Sequence, residues 1–399
     1  MKPGTPGFLG ARLKEGREAR GLSQTAMAEL LDLSRQAISQ YESGTITPAP
    51  AVMQAIADKL RLPVAFFRTQ PELPDLGTIF YRSLAPAVKH ARTRAERRYA
   101  WLHQVVRFVK LYVDLPTVDV PDLGFPEDPQ HIDFDNVEDA ANEIRRRWQL
   151  GDGPVGNLVL TLENHGVLVT RGELGALELD AFSSWAEDTP GIFLGSDKAS
   201  AVRSRYDAAH ELGHLVLHRR LDNARLERKG DFKLVEQQAH RFAGAFLLPA
   251  ATFSRDIMLG SLEEMVAIKP KWGASLGTMI HRGQDLGLVS AEGAVRLYRS
   301  RARRGWNRWE PLDDELPVEQ PRLLRRSFEL MLSEGGLSKT EILEALPLVA
   351  TDIEDLANMP RGHLSEGPVP IQLSVRRANS GRSENSGTVS QFSDRSTRQ

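Results

Sequence analysis

The sequence predicts a multidomain, mainly α protein: an all-α domain at the N-terminus, an α+β domain with a small sheet, a helical C-terminal region and a disordered tail. Three observations carry this reading. Apolar residues recur at helical spacing over most of the chain. Short β-like runs are confined to residues 166–170 and 191–195. The last stretch, with Ser-Gly, Ser-Glu-Asn-Ser-Gly and Ser-Asp-Arg-Ser, has little to bury. At 399 residues the chain is also too long for a single core.

Residues 1–70 form the first expected domain. Leu9, Leu13, Met27, Leu30, Leu31, Ile38, Val52 and Ile56 mark short helices joined by tight turns over residues 8–69. Residues 71–134 hold a linker and then a long helix over 91–112, with Ala95, Tyr99, Leu102, Val106 and Val109 along one stripe. Residues 77–112 carry eight Lys or Arg against one acid, whereas 113–140 carry nine acids and no Lys or Arg. Such blocks read as a solvated helix face followed by an acidic loop, or as a basic stretch that contacts phosphates. The α+β domain spans 135–300, with helices over 136–149, after Pro154, over 204–218 and over 235–248, the last stopped by Pro249. A helical extension fills 301–360, and the tail covers 361–399.

Composition narrows the chemistry. The chain has no cysteine, which excludes disulfides, thiol nucleophiles and thiolate metal sites; a transition metal would need His, Asp or Glu ligands. That fits a reducing cytoplasm. No apolar run approaches the ~18 residues of a membrane helix, and the first residues lack a secretion signal, so a cytoplasmic protein with no membrane partner is expected.

The predicted helix 204–218 reads Tyr206-Asp-Ala-Ala-His210-Glu211-Leu-Gly-His214-Leu-Val-Leu-His218. His210 and His214 lie one helical turn apart, so both imidazoles leave one face and can chelate one ion. Glu211 is rotated by about 100° and stands beside that ion, where a base takes the proton of an attacking water. A catalytic zinc needs a third protein ligand and an open fourth position. Glu236 opens the next helix, whose stripe of Ala239, Phe242, Ala243, Phe246 and Leu247 can pack on the first. His240, one turn further, competes with Glu236 as ligand or supports one from behind. His218 would close the site as a fourth ligand and reads instead as a supporting or packing histidine. Tyr206, Arg205 and His240 are candidates for stabilising an oxyanion.

Nearer the N-terminus, Gly21 ends one helix and Ser23 caps the next, over 24–31; Ser34 then caps Arg35-Gln36-Ala37-Ile38-Ser39-Gln40-Tyr41-Glu42. Ala37, Ile38 and Tyr41 face inward. Arg35, Gln36, Ser39 and Gln40 face outward and have the chemistry of base-edge readers, Arg for guanine and Gln for adenine. With Gln24 and Ser34 at the starts of the two helices, they form the expected contact set of a helix-turn-helix on double-stranded DNA. Residues 1–70 hold nine Lys or Arg against six acids, a mild excess, so a helical bundle that binds protein is the competing reading.

Two resemblances follow. Arg20-Gly-Leu-Ser-Gln24, Ser34-Arg-Gln-Ala-Ile-Ser39 and Glu42-Ser-Gly44 resemble the XRE (Cro/C1) type of helix-turn-helix, over about 60 residues. His210-Glu-Leu-Gly-His214-Leu-Val-Leu-His218, then Glu236-x-x-Ala239-x-x-Phe242-Ala243 and Leu247-Leu248-Pro249, resemble the ImmA/IrrE metallopeptidases, over roughly 135–300. Lys271-Trp272-Gly-Ala-Ser275, Arg282 and Leu286-Gly-Leu288 are similar to that family's downstream helices. The resemblance implies a zincin-like fold, zinc on His210, His214 and Glu236, Glu211 as base, and a repressor-type protein as substrate. His240 departs from the small or amide residue the pattern leads one to expect.

Three functions are weighed: a DNA-binding regulator with a zinc endopeptidase that cuts a regulatory protein, including itself; a non-catalytic transcription factor whose zincin-like domain senses a ligand or binds a partner; and a zinc hydrolase of a small molecule. The intact Glu211 favours catalysis, because a structural zinc site needs no base. A homodimer on two half-sites is the expected assembly.

Overall fold

The computed structural model describes residues 4–71, 74–81, 89–175, 179–197, 200–258 and 260–365. The stretch expected to be a disordered tail therefore lies outside the described residues from 366 onward. Residues 361–365 form a turn that is pinned to the fold, with Leu364 buried and its amide donating to Glu354 Oε1 at 2.7 Å.

The first domain is all helical: α1 (Gly10–Ala19), α2 (Gln24–Leu31), α3 (Arg35–Glu42) and α4 (Pro50–Leu60), closed by a 3-10 turn over Val64–Arg68. Its turns are set by local chemistry. Gly21, at φ 69°, lets the Leu22 and Gly21 amides reach back to the Arg17 and Glu18 carbonyls, which ends α1. Ser23 and Ser34 each accept an amide three residues on, from Ala26 at 3.0 Å and Ala37 at 3.1 Å, which starts α2 and α3.

The long helix is α5 (Lys89–Val109), and its expected stripe of Ala95, Tyr99, Leu102, Val106 and Val109 is buried. Burial extends well beyond that stripe, to Ala100, Trp101, His103, Gln104, Val105 and Phe108. Within the basic block Lys89 and Lys110 are exposed, while other charges are drawn onto neighbouring elements. Arg97 binds Glu18 of α1 at 2.9 Å, and Arg107 lies 3.5 Å from Glu187. Buried Glu15 accepts from both Arg12, at 2.8 Å, and the Trp101 indole, at 2.7 Å, locking α1 onto α5.

The sheet has four strands in the order β1 (Phe80–Tyr81), β3 (Ala181–Ala186), β4 (Thr189–Gly195), β2 (Leu168–Gly172). β2 is parallel to β4; the other pairs are antiparallel. β3 escapes notice in the sequence because it is buried throughout and does not alternate apolar with polar residues. The sheet separates two cores. On one side Val169, Trp185, Ile192 and Leu194 pack with α6 (Phe134–Arg147), α7 (Leu158–Asn164), α8 (Ala201–Leu217) and α10 (Lys229–Leu247). On the other, Leu168, Phe182 and Phe193 join a core shared by the N-terminal domain, α5 and the last helices.

Between α8 and α10 lies the single turn α9 (Asn223–Leu226); after α10 come α11 (Ala250–Asp256), α12 (Leu262–Trp272), α13 (Leu276–Asp285) and α14 (Ala291–Arg303). The chain then returns through α15 (Leu323–Ser333), α16 (Lys339–Ala345) and α17 (Ala350–Leu356) to the second core. There Arg20 of the N-terminal domain makes a two-pronged pair with Asp352 of α17, at 2.6 and 2.7 Å. No helix among the described residues is long and apolar enough to cross a membrane.

Candidate metal centre and DNA-reading helix

α8 and α10 pack face to face, and Gly213, inside the histidine motif, makes the close approach possible: a Cβ there would lie 3.1 Å from the Phe242 ring. This contact carries Glu236 over the histidine pair. His210 Nε2 and His214 Nε2 are 3.1 Å apart, and the Glu236 carboxylate lies 3.5 Å from the first and 3.3 Å from the second. Among the described residues these three form the one group of donors able to share an ion. Two imidazole nitrogens and a carboxylate are the donor set of a catalytic zinc, and tetrahedral arms of ~2.1 Å put ligand atoms about 3.4 Å apart, so the spacings fit. Burial pushes the Glu236 carboxyl up, but its interactions with the neighbouring His210 and His214 outweigh it and hold the group far below the usual carboxylate range.

A buried relay stands behind His214. The Gln238 amide nitrogen donates to the carbonyls of Pro129 and Ile132, both at 2.7 Å. Its oxygen therefore faces His218 Nε2, at 3.0 Å, and accepts from it. Burial, helped by His214, pulls the His218 imidazole down to about 3, so it is neutral and its Nδ1 carries a lone pair. That nitrogen lies 3.1 Å from His214 Nδ1, which must be the donor. These proton positions follow from the network, and they leave the His214 Nε2 lone pair aimed at the ligand group. His218 is thus one step removed from the three donors. Gln238 was not anticipated: in sequence it is one polar residue in a helix, and nothing in its spacing links it to His218.

Glu211 is buried, and Ser183 of β3 donates to its Oε2 at 2.6 Å. Ser183 was also missed, since β3 carries no motif. His240 stands outside the donor group: its ring is 4.4 Å from that of His210, and its Nδ1 is 3.0 Å from the Tyr206 hydroxyl. Tyr206 and His240 also border a cavity of about 430 Å³ lined by Ser204, Asp207, Thr278 and His281. Arg205 takes no part. Its guanidinium is engaged by the Val155 and Gly156 carbonyls and by Glu319.

In α3, Ile38 and Tyr41 are buried while Ser34, Arg35, Gln36 and Ser39 are exposed and Gln40 is half-buried. The Ser34 hydroxyl caps the helix, and the Gln24 amide donates to Glu42 Oε2 at 2.8 Å. Glu42 in turn holds Arg17 at 2.5 Å, so Gln24 is fastened to the domain's interior rather than projecting freely.

Comparison with known proteins agrees with both halves. Residues 13–67 match the helix-turn-helix family model, and residues 162–283 match the model of the IrrE N-terminal-like domain, a peptidase family. The HTH-type transcriptional regulators PuuR of Escherichia coli (strain K12) and of Shigella flexneri are each 39% identical over 66 residues. That match covers 16% of this chain and 36% of each relative's length. The likeness to these regulators therefore concerns only a 66-residue stretch of the chain.

Proposed function

For a chain that joins a helix-turn-helix domain to an IrrE N-terminal-like peptidase domain, we propose a DNA-binding regulator whose middle domain is a zinc-dependent endopeptidase acting on a repressor-type protein. The observation that carries this reading is the convergence of His210, His214 and Glu236 with Glu211 on the same helix as the histidine pair. His210, His214 and Glu236 would hold the zinc, whose charge would lower the pKa of a water toward about 7 and polarise a peptide carbonyl. Glu211, oriented by Ser183, takes the proton of the attacking water and returns it to the leaving amine. Gln238 and His218 keep the His214 Nε2 lone pair directed at the site. Tyr206 and His240, hydrogen-bonded to each other beside His210, are the groups we assign to charge developing on the carbonyl oxygen.

On the DNA side, Arg35, Gln36, Ser39 and Gln40 of α3 read base edges in the major groove. Pairing of two copies on two half-sites belongs to the same reading. The test is hydrolysis of a degenerate fluorogenic peptide library by the zinc-loaded chain and by Glu211→Gln, with zinc measured in both by elemental analysis. Hydrolysis by the parent and none by a fully zinc-loaded Glu211→Gln is the expected result. Equal hydrolysis by both would sink the assignment of Glu211. Full zinc without hydrolysis in either would favour a non-catalytic regulator.

A further inference from the structure

The strand at the sheet edge beside the metal centre does not come from the peptidase domain. β1 belongs to the segment that leads away from the DNA-binding domain, and it lies antiparallel to β3 with Phe80 opposite Ser183 and Tyr81 opposite Phe182. The approach begins earlier. The Glu187 amide donates to the Asp75 carbonyl at 3.2 Å, and Gly77, at φ 57°, passes so close to β3 that a Cβ would lie 2.6 Å from the Trp185 carbonyl oxygen. Thr78 is fastened as well, its hydroxyl donating to the Leu221 carbonyl at 2.7 Å.

Side chains along this segment alternate, as a strand requires. Tyr81 turns toward α5, its ring 5.4 Å from Phe182 and its hydroxyl donating to Glu96 at 2.9 Å. Phe80 turns the other way. Its ring stacks on His214 at 4.8 Å, with the planes within 8°, and lies 5.9 Å from the His218 ring. Leu221, Leu226 and Val235, all from the chain around α9 and the start of α10, complete a small apolar pocket that holds it. Phe80 therefore touches a ligand histidine on one side and is paired on the other with the serine that orients Glu211.

Without β1, β3 would be an open edge running past the catalytic groups. An open edge next to a hydrolytic centre accepts an extended peptide through main-chain hydrogen bonds, with pockets for alternate side chains supplying selectivity. We propose that residues 77–81 occupy the place of a substrate strand, with Phe80 in the side-chain pocket, so that the linker between the two domains blocks the peptidase in cis. Among the described residues β1 pairs with β3 alone, so its departure would leave β3, β4 and β2 paired to one another. Substrates that replace it are extended segments carrying a Phe-sized apolar residue at the Phe80 position. Displacement of the linker by such a segment couples what happens at the DNA-binding domain to access at the metal centre.

This inference rests on the reading of the middle domain as a peptidase, yet its test reads binding and not turnover. A labelled peptide of the sequence Leu-Gly-Thr-Ile-Phe-Tyr, which is residues 76–81, is titrated into the zinc-loaded full chain carrying Glu211→Gln. The same titration is made with Phe80→Ala added, and with Phe80→Leu, which keeps most of the apolar packing should the smaller side chain compromise folding. The expected result is weak binding when Phe80 is present, about tenfold tighter binding in Phe80→Ala, a smaller gain in Phe80→Leu, and loss of binding when the peptide's Phe is replaced by Ala. Equal affinity for all three proteins, no binding to any, or binding indifferent to the peptide's Phe would overturn the proposal. Failure of the peptidase reading would show separately, as absence of hydrolysis by the chain with Glu211 intact.

Discussion

Helix α3 and the His210–His214–Glu236 group are built on opposite principles. In α3 every group that matters is local: Ser34 caps it, Ile38 and Tyr41 bury it, and the outward side chains need no partner to be where they are. The metal centre is assembled from a distance. Its histidines come from α8, its carboxylate from α10, the serine on its base from β3, and the amide that orders its relay is itself held by the carbonyls of Pro129 and Ile132. A local device tolerates change around it and fails only at its own surface. A converging one can be broken from positions that touch neither ion nor substrate.

The largest effect is expected at the base. Glu211→Gln should lower peptide hydrolysis by about 10²–10⁴-fold while leaving zinc content and operator affinity unchanged, which steady-state kinetics and a DNA titration would check. An unchanged rate would break the contrast at once. Next, Glu15→Ala leaves the buried Arg12 guanidinium without its carboxylate and removes the indole's acceptor, so unfolding free energy should fall by about 3–5 kcal/mol in urea titration. A loss under ~1 kcal/mol would mean that the N-terminal domain is less firmly seated on α5 than its buried contacts imply.

Smaller, and more telling for the comparison, is Gln238→Leu. It should weaken zinc binding about 10–100-fold in chelator competition without touching DNA affinity, because His218 and then His214 lose the order of their protons. Gln238→Glu, whose carboxylate still accepts from His218, should recover part of that loss; equal loss in both variants would mean a packing role only. Last, Gln36→Ala should cost about 1–3 kcal/mol of specific DNA binding, leave the non-specific component intact and leave zinc affinity alone. Equal weakening on cognate and random DNA would show that Gln36 does not read bases.

What was legible follows the same division. The helix-turn-helix could be read because caps, Gly21 and the inward stripe act over three to six residues. The spacing of the two histidines and the offset of Glu211 were legible for the same reason, since helical periodicity alone fixes their mutual geometry. Glu236 could be reached through the apolar stripe of its helix, with His240 as a lesser competitor; the packing of α8 on α10 brings Glu236 into the donor group and turns His240 toward Tyr206. The basic block was legible only as charge, because a run along a helix does not reveal which residues meet acids, as Arg97 meets Glu18, and which stay exposed, as Lys89 and Lys110 do.

The sequence by itself determined the reading surface of α3, the one-turn spacing of His210 and His214, the offset of Glu211 and the absence of any thiol, all consequences of local geometry and composition. Only the tertiary structure decided that Gln238 orders the relay behind His214, that Ser183 holds Glu211, that the N-terminal core runs on beneath the sheet and that Phe80 lies against the metal centre. Each of these joins segments far apart in the chain. Such contacts are chosen by which surfaces exclude water together and which buried polar groups find partners, and no window along the sequence contains both sides of that choice.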